Sequence, residues 1–175
     1  SQTLGLVGFG HIAQTVAQRA KAMGMRVHVA NRSPISHPVV DRSWTLDALH
    51  DFMGSCDAVV VSLPLTENTQ GLVDAPAIAA MRPDAVLLNV GRGAVIDEPA
   101  MIDALKNNRL AGAYLDVFAQ EPLAADSELW DLSNVIATPH TAGFSDGILK
   151  RMSQMFIQNL KNWHAKKPLF NVVNK

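Results

Sequence analysis

The chain is 175 residues long, 48% hydrophobic and 18% charged, with a formal net charge of −1. That composition fits one globular domain with a sizeable core and gives no ground for a general attraction to nucleic acid or an anionic membrane. A lone cysteine, Cys56, excludes an intramolecular disulfide framework and suits a reducing compartment, while no apolar run reads as a membrane span or a secretory signal, so the expected location is cytoplasmic.

The chain begins two residues before its first predicted strand, which suits either a free-standing nucleotide-binding domain or a piece cut at a domain boundary. That strand, Leu4-Gly5-Leu6-Val7, runs into Gly8-Phe9-Gly10-His11-Ile12-Ala13. A strand that ends in Gly-x-Gly and opens at once into a helix suits a dinucleotide pyrophosphate. The first glycine permits the tight turn and the second lets the backbone approach the phosphates; the third small position, here Ala13, lets helix and strand pack closely. The free N–H groups at the helix start, around His11 and Ile12, face the anion. Ile12, Val16, Ala20 and Met23 are expected on the packed face, with Gln14, Arg19 and Lys21 elsewhere.

Gly24 is a helix stop, and 26–30 reads as the second strand. Asn31-Arg32-Ser33-Pro34 breaks it, and the stretch to 43 is expected to be irregular. Thr45 is the expected cap of a short helix through Met53, ended by Gly54, and Cys56 is expected as a small core residue. The continuous apolar strand Ala58-Val59-Val60-Val61 closes in the loop Leu63-Pro64-Leu65-Thr66. A short helix at 75–81 precedes a strand at 85–89, and Gly91-Arg92-Gly93 interrupts the chain just past it. Asp97 and Pro99 open a helix to about 107, followed by strands at 112–117 and 134–137 and then Pro139-His140. This alternation predicts an α/β fold with a doubly wound parallel sheet over 1–143. Over 144–175 the pattern changes to one long helix and a tail. Its stripe of Ile148, Met152, Met155, Phe156, Leu160 and Trp163 is expected to pack in a core.

In an open parallel sheet, ligands bind outside the carboxyl ends of the strands. Arg92, Glu121 and His140 fall there, from three different strand ends. Together they suit reduction of a carbonyl beside a carboxylate. The planar fork of Arg92 holds the carboxylate, His140 exchanges a proton with the carbonyl oxygen, and Glu121 stabilises the ring once it carries charge. Singly, each residue also fits a surface bend, a loop or a hydrogen-bonded turn.

Their flanks carry a resemblance. The glycine turn at 8–13, Asn89-Val90-Gly91-Arg92-Gly93-Ala94-Val95-Ile96-Asp97-Glu98, Gly112-Ala113-Tyr114-Leu115-Asp116-Val117-Phe118 with Glu121-Pro122, and Thr138-Pro139-His140-Thr141-Ala142-Gly143 resemble the D-isomer-specific 2-hydroxyacid dehydrogenases. Arg92 stands 29 residues before Glu121, and Glu121 stands 19 before His140, as in that family's pattern. The resemblance implies a Rossmann-type cofactor domain and hydride exchange between a nicotinamide and a 2-keto or 2-hydroxy acid. Arg92 is then similar to the family's substrate anchor, His140 to its acid/base and Glu121 to the carboxylate paired with it. Asp116 is similar to the aspartate at the nicotinamide end. Leu63, Pro64 and Thr69 look like the loop along the cofactor, with Val90 and Gly91 beside it. No metal site is implied. A homodimer through the nucleotide domain is implied.

The family's substrate domain, built mostly from an upstream segment on the order of a hundred residues, has no counterpart in this sequence. The tail Pro168-Leu169-Phe170-Asn171-Val172-Val173-Asn174 resembles the family's natural C-terminus, so the chain looks like the second half of an enzyme, with the long helix directed towards the missing domain. At the second strand's end, NAD-preferring folds carry an acidic residue for the ribose. Here Asn31 stands there, 23 residues after Gly8, followed by Arg32 and Ser33. No carboxylate repels a 2′-phosphate and Arg32 is placed to pair with one, so NADPH is favoured over NADH, and a glyoxylate or hydroxypyruvate reductase fits that choice. A non-enzymatic dinucleotide-sensing module of the co-repressor type shares the same motifs and stays open as an alternative.

Overall fold

The computed structural model describes residues 1–172; Val173 and Asn174 of the tail lie outside the described residues. The chain divides into two units, Ser1–Ala142 and Gly143–Lys175.

The first unit is a seven-stranded sheet in which every neighbouring pair is parallel. Its strands are β1 (Thr3–Val7), β2 (Arg26–Asn31), β3 (Arg42–Thr45), β4 (Ala58–Val61), β5 (Val86–Asn89), β6 (Gly112–Leu115) and β7 (Val135–Ala137). The order is β3-β2-β1-β4-β5-β6-β7, so the chain builds outward from β1 in one direction and then, through β4, in the other. The reversal point of such a sheet is where a crevice opens at the carboxyl ends. Register makes that edge sharp. Val7 pairs with Ala30 and Val61, Val61 with Asn89, Asn89 with Leu115, and Leu115 with Ala137. Whatever follows these residues in sequence emerges on one side.

Both faces of the sheet are covered, which is why its strands read as apolar runs and not as alternations. Side chains of successive strand residues point to opposite faces. Val59 and Val61 of β4 pack in the larger cluster with Phe52, Met53, Leu87 and Leu115, whereas Val60 packs with Leu4, Leu6, Val27 and Val29 in the smaller one. Cys56 is fully buried in the larger cluster, and burial pushes its thiol up to about 11. It is a small core residue with no thiolate character at neutral pH.

Helix α1 (His11–Ala22) packs in the smaller cluster through Ala20 and, partly, Val16 as its hydrophobicity predicts, but with Ala13 and Ala17 in the places expected of Ile12 and Met23. Ala13, Ala17 and Ala20 are buried, whereas Ile12 is 55% and Met23 79% exposed. Alanines four and three residues apart let the helix backbone come down onto β1 and β2; a bulkier stripe would hold it off. The stretch to 43 is also less irregular than expected. Arg42–Thr45 forms β3 by pairing with the free edge of β2, a non-local gain that so short and polar a segment does not advertise. Thr45 makes no side-chain cap; a 3₁₀ turn, Leu46–Ala48, intervenes before α2 (Leu49–Gly54). Helices α3 (Ala75–Ala79) and α4 (Glu98–Lys106) begin at Asp74 and Asp97, each of which accepts a hydrogen bond from the N–H three residues on, with proline in the first turn. Strand β6 ends at Leu115, so Asp116 and Val117 lie beyond it.

In the second unit α5 (Ile148–His164) is flanked by a returning segment. Asn162, the buried residue of the helix, donates from Nδ2 to the Pro168 carbonyl, and Asn159 exchanges two hydrogen bonds with the Phe170 backbone. Within this chain the stripe expected in a core is largely uncovered: Met152, Phe156 and Leu160 are at least half exposed, and Trp163 is 72% exposed. The helical spacing is as read, but periodicity reports which face is apolar and not whether anything covers it. No helix among the described residues is long and apolar enough to cross a membrane.

One backbone contact fixes how two of the strand-end loops meet. A Cβ built on Gly93 would stand 1.8 Å from the Phe118 carbonyl carbon and 2.0 Å from its oxygen. Gly93→Ala is therefore expected to destabilise the first unit by about 1–3 kcal/mol or more, as overpacking against backbone does. Urea denaturation followed by far-UV circular dichroism measures it; a midpoint equal to wild type would show that this contact yields freely.

Candidate functional site

Six strand ends supply the site. After β1, Gly8 adopts φ +89, and a Cβ there would lie 2.6 Å from Leu63 Cδ2, so glycine is required by both conformation and space. Gly10 caps α1 without a side-chain hydrogen bond, the first turn of α1 holds no acidic residue, and a Cβ on Gly10 would meet nothing within 4 Å. The helix start, with exposed His11 and Ile12, thus keeps its unpaired N–H groups and positive end before open space. A pyrophosphate fits those features.

After β2, Asn31 closes its own turn, donating from Nδ2 to the Ser33 carbonyl (3.2 Å), and Arg32 and Ser33 are exposed. After β4, Leu63 sits under two glycines. Besides Gly8 it touches Gly91, whose Cβ would lie 2.7 Å from the Leu63 carbonyl oxygen. Thr69 pins the loop that follows, donating to the Pro64 carbonyl (2.7 Å) and accepting from the Thr66 N–H (2.8 Å).

After β5, Asn89 shapes the turn that carries Arg92. The Asn89 side chain is buried; its Oδ1 accepts from the Gly91 N–H (3.0 Å) and its Nδ2 donates to the Arg92 carbonyl (3.0 Å). Val90 pairs back onto β4 through the Val61 carbonyl (3.1 Å). The exposed Arg92 guanidinium is held against the Gly91 carbonyl at 2.7 Å. Asn89 is a site residue not among those expected from the sequence. An Asn two residues before Gly-Arg-Gly is the available signal, because its side chain bonds the backbone two residues on.

After β6 stands Asp116, 2% exposed. Its Oδ1 accepts from Thr138 Oγ1 (2.6 Å) and the Thr141 N–H (2.8 Å), and its Oδ2 from the Ala142 N–H (2.9 Å). Burial alone would push this carboxyl up; the hydrogen bonds from Thr138, Ala142 and Thr141 outweigh it and hold the group below the usual aspartate value. Asp116 therefore ties down the loop that carries His140. That loop needs holding: His140 has φ +54, a left-handed conformation that costs a non-glycine residue about 1–3 kcal/mol.

His140 and Glu121 meet. Nδ1 of the ring lies 2.7 Å from Glu121 Oε2, and Glu121 Oε1 accepts from the Phe118 N–H at 3.1 Å. The hydrogen bond from His140 holds the Glu121 carboxyl below its usual value, against a smaller opposing effect of burial. A carboxylate only accepts, so Nδ1 carries the proton and Nε2 is left for exchange with a ligand. Glu98 steadies the same loop by accepting from the Ala119 N–H (2.9 Å). Arg92, Glu121 and His140 line one depression of about 250 Å³ together with Leu65, Gly93 and Phe118. A fixed cation, a ring that can exchange a proton and a carboxylate behind the ring suit an acidic substrate with a reducible carbonyl.

Comparison with known proteins agrees with this geometry. The chain is 40% identical over 163 residues to the (S)-sulfolactate dehydrogenase of Chromohalobacter salexigens, covering 91% of this chain and 52% of that protein. It is 36% identical over 173 residues to the glyoxylate reductase of Thermococcus gammatolerans, covering 97% and 52%. Among solved structures, a D-isomer specific 2-hydroxyacid dehydrogenase from Xanthobacter autotrophicus in complex with NADPH matches with a TM-score of 0.92 at 34% identity, over 99% of this chain and 71% of that one. An NADPH-dependent glyoxylate/hydroxypyruvate reductase from Sinorhizobium meliloti matches with a TM-score of 0.91 at 32% identity, over 99% and 55%. The chain spans about half the length of the curated relatives it matches. The model for the NAD-binding domain of D-isomer specific 2-hydroxyacid dehydrogenases matches residues 1–142, and the chain belongs to that family.

Proposed function

We propose that this chain is the cofactor-binding part of an NADPH-linked oxidoreductase that interconverts a 2-keto acid and its 2-hydroxy acid, of the glyoxylate or hydroxypyruvate reductase kind. The observation that carries the reading is the depression shared by Arg92, Glu121 and His140 at the carboxyl edge of the sheet. The names of relatives that reduce glyoxylate, and of one that does so with NADPH, support it. A homodimer located in the cytoplasm belongs to the same reading.

Gly8, Gly10, His11 and Ile12 would hold the pyrophosphate, Asn31, Arg32 and Ser33 the adenosine ribose end, and Leu63, Pro64, Thr69, Val90, Gly91 and Asp116 the length of the cofactor. When bound, the nicotinamide supplies the hydride. Arg92 binds the substrate carboxylate through its planar fork and so orients the carbonyl. His140 donates its Nε2 proton to the carbonyl oxygen as that oxygen gains charge, and takes it back in the reverse direction. Glu121 keeps the ring oriented and stabilises the imidazolium until the proton leaves.

In the full-length protein, His140→Ala lowers kcat for glyoxylate reduction by roughly 10²–10⁴-fold, the range of a general acid. Glu121→Gln moves the alkaline limb of the reduction profile to lower pH, since the charged ring loses its partner; a pH–rate profile identical to wild type removes Glu121 from this role. Arg92→Lys raises KM for the keto acid far more than KM for NADPH, because an ammonium cannot reproduce two parallel hydrogen bonds. A lysine variant with wild-type KM would overturn the carboxylate clamp.

Cofactor choice is tested by calorimetric titration. NADPH binds more tightly than NADH, and Arg32→Ala removes most of a difference of roughly tenfold to a hundredfold, the worth of one charge-assisted phosphate contact. Equal affinities in the wild type would remove the assignment.

A further inference from the structure

The loop that carries His140 begins at Thr138, the first residue beyond β7, and Thr138 is bonded through both backbone and side chain. Its N–H donates to the Leu115 carbonyl (2.9 Å), which continues the ladder between β6 and β7 by one residue. Its own carbonyl accepts from the His140 N–H (3.0 Å). Its hydroxyl lies 2.6 Å from Asp116 Oδ1 and 3.2 Å from the hydroxyl of Tyr114, the half-buried residue of β6 that pairs with Ile136.

A threonine hydroxyl has one proton to give, and an ionised carboxylate only accepts. The Thr138 proton therefore goes to Asp116, and the Tyr114 phenol donates to Thr138. The three groups form a chain with one direction, Tyr114 to Thr138 to Asp116, in which each donor polarises the next. Burial pushes the Asp116 carboxyl up; the Thr138 hydrogen bond comes first among the effects that hold it down, ahead of the Ala142 and Thr141 N–H groups, and the charge of His140 acts in the same direction. His140 is thus bracketed. Thr138 stands two residues before it and Thr141 and Ala142 just after it, all tied to one carboxylate. A histidine at φ +54 needs such bracketing. Arg92 is held separately, by the Gly91 carbonyl.

We infer that Thr138 is a positioning residue for His140, with Tyr114 as the outer donor that fixes the direction of its hydroxyl. The chain keeps Asp116 an acceptor and so holds the imidazole in line for proton exchange. This rests on the acid/base reading of His140 given above and adds to it two hydroxyls that act through another group.

The test uses the full-length protein with NADPH and glyoxylate, hydroxypyruvate or pyruvate, whichever is reduced fastest. Thr138→Val, similar in shape but unable to donate, lowers kcat about tenfold to a hundredfold, the cost of a slightly misplaced group, while KM for the keto acid stays near wild type because Arg92 is untouched. The acidic limb of the kcat profile moves to higher pH in this variant. Asp116 has lost its first donor, so it takes up a proton, and releases the loop, sooner as pH falls. Thr138→Ser restores rate and profile, and Tyr114→Phe shifts both in the direction of the valine variant by a smaller amount. Amide hydrogen exchange followed by NMR reads the same chain without turnover: the Thr141 and Ala142 N–H groups exchange about tenfold faster or more in Thr138→Val, the worth of a hydrogen bond to a charged group.

A wild-type kcat and pH profile in Thr138→Val overturn the inference. So does a Thr138→Ser variant as impaired as the valine, which places the effect in packing, and so does a kcat loss with an unmoved acidic limb and unchanged exchange. If circular dichroism shows Thr138→Val unfolded, Tyr114→Phe decides: the same limb shift supports the chain and a wild-type profile overturns it. Absence of turnover with every keto acid in the wild type overturns the reductase reading and the inference with it, whereas a working wild type with unresponsive variants overturns the inference alone.

Discussion

The site depends first on one buried carboxylate. Asp116 leaves the sheet at the end of β6 and gathers a hydroxyl and two backbone N–H groups from the loop that follows β7. Those three donors outweigh the burial that would otherwise push its pKa up, and in return they fix a segment whose central residue, His140, is in a strained backbone conformation. An imidazole on a loop is ordinarily free to swing; here its backbone is pinned from one side by Asp116 and its ring from the other by Glu121. Such over-determination is what allows a half-exposed histidine to keep a single orientation.

The second constraint is backbone proximity. Gly93 lies against the Phe118 carbonyl, and Gly91 against that of Leu63. These contacts join the loops after β4, β5 and β6 into one surface without side chains between them. Arg92, flanked by both glycines, is carried to the same depression as Glu121 and His140. The common register of the parallel strands delivers the loops to one edge, and the glycines let them close on each other there.

Much of this was legible in the residues themselves. The glycine turn, the Asp-initiated helices and the apolar runs of a doubly covered sheet are local signals, each set by the chemistry of a few neighbours, and they sit where they were expected. The face of α1 was legible only in part: Val16 and Ala20 pack as expected, but hydrophobicity ranks Ile12 and Met23 above alanine, whereas the distance between helix and sheet favours Ala13 and Ala17. Nor was β3, whose four residues become a strand only because β2 offers an unpaired edge. The apolar stripe of α5 was read correctly as helical; it lies exposed in this chain, since a pattern within one helix says nothing about what covers it.

Local chemistry alone carries the alternation of strands and helices, the glycine turn at Gly8 and Gly10, and the presence of a guanidinium, a carboxylate and an imidazole after successive strands. These follow from local periodicity, glycine's conformational range and side-chain chemistry. Only the tertiary structure decided that Asn89 shapes the Arg92 turn and that Asp116 spends its oxygens on the His140 loop. The reason is physical. Each of these is a contact of a few hydrogen bonds, and neither exists until the strands that carry the partners have been set in register.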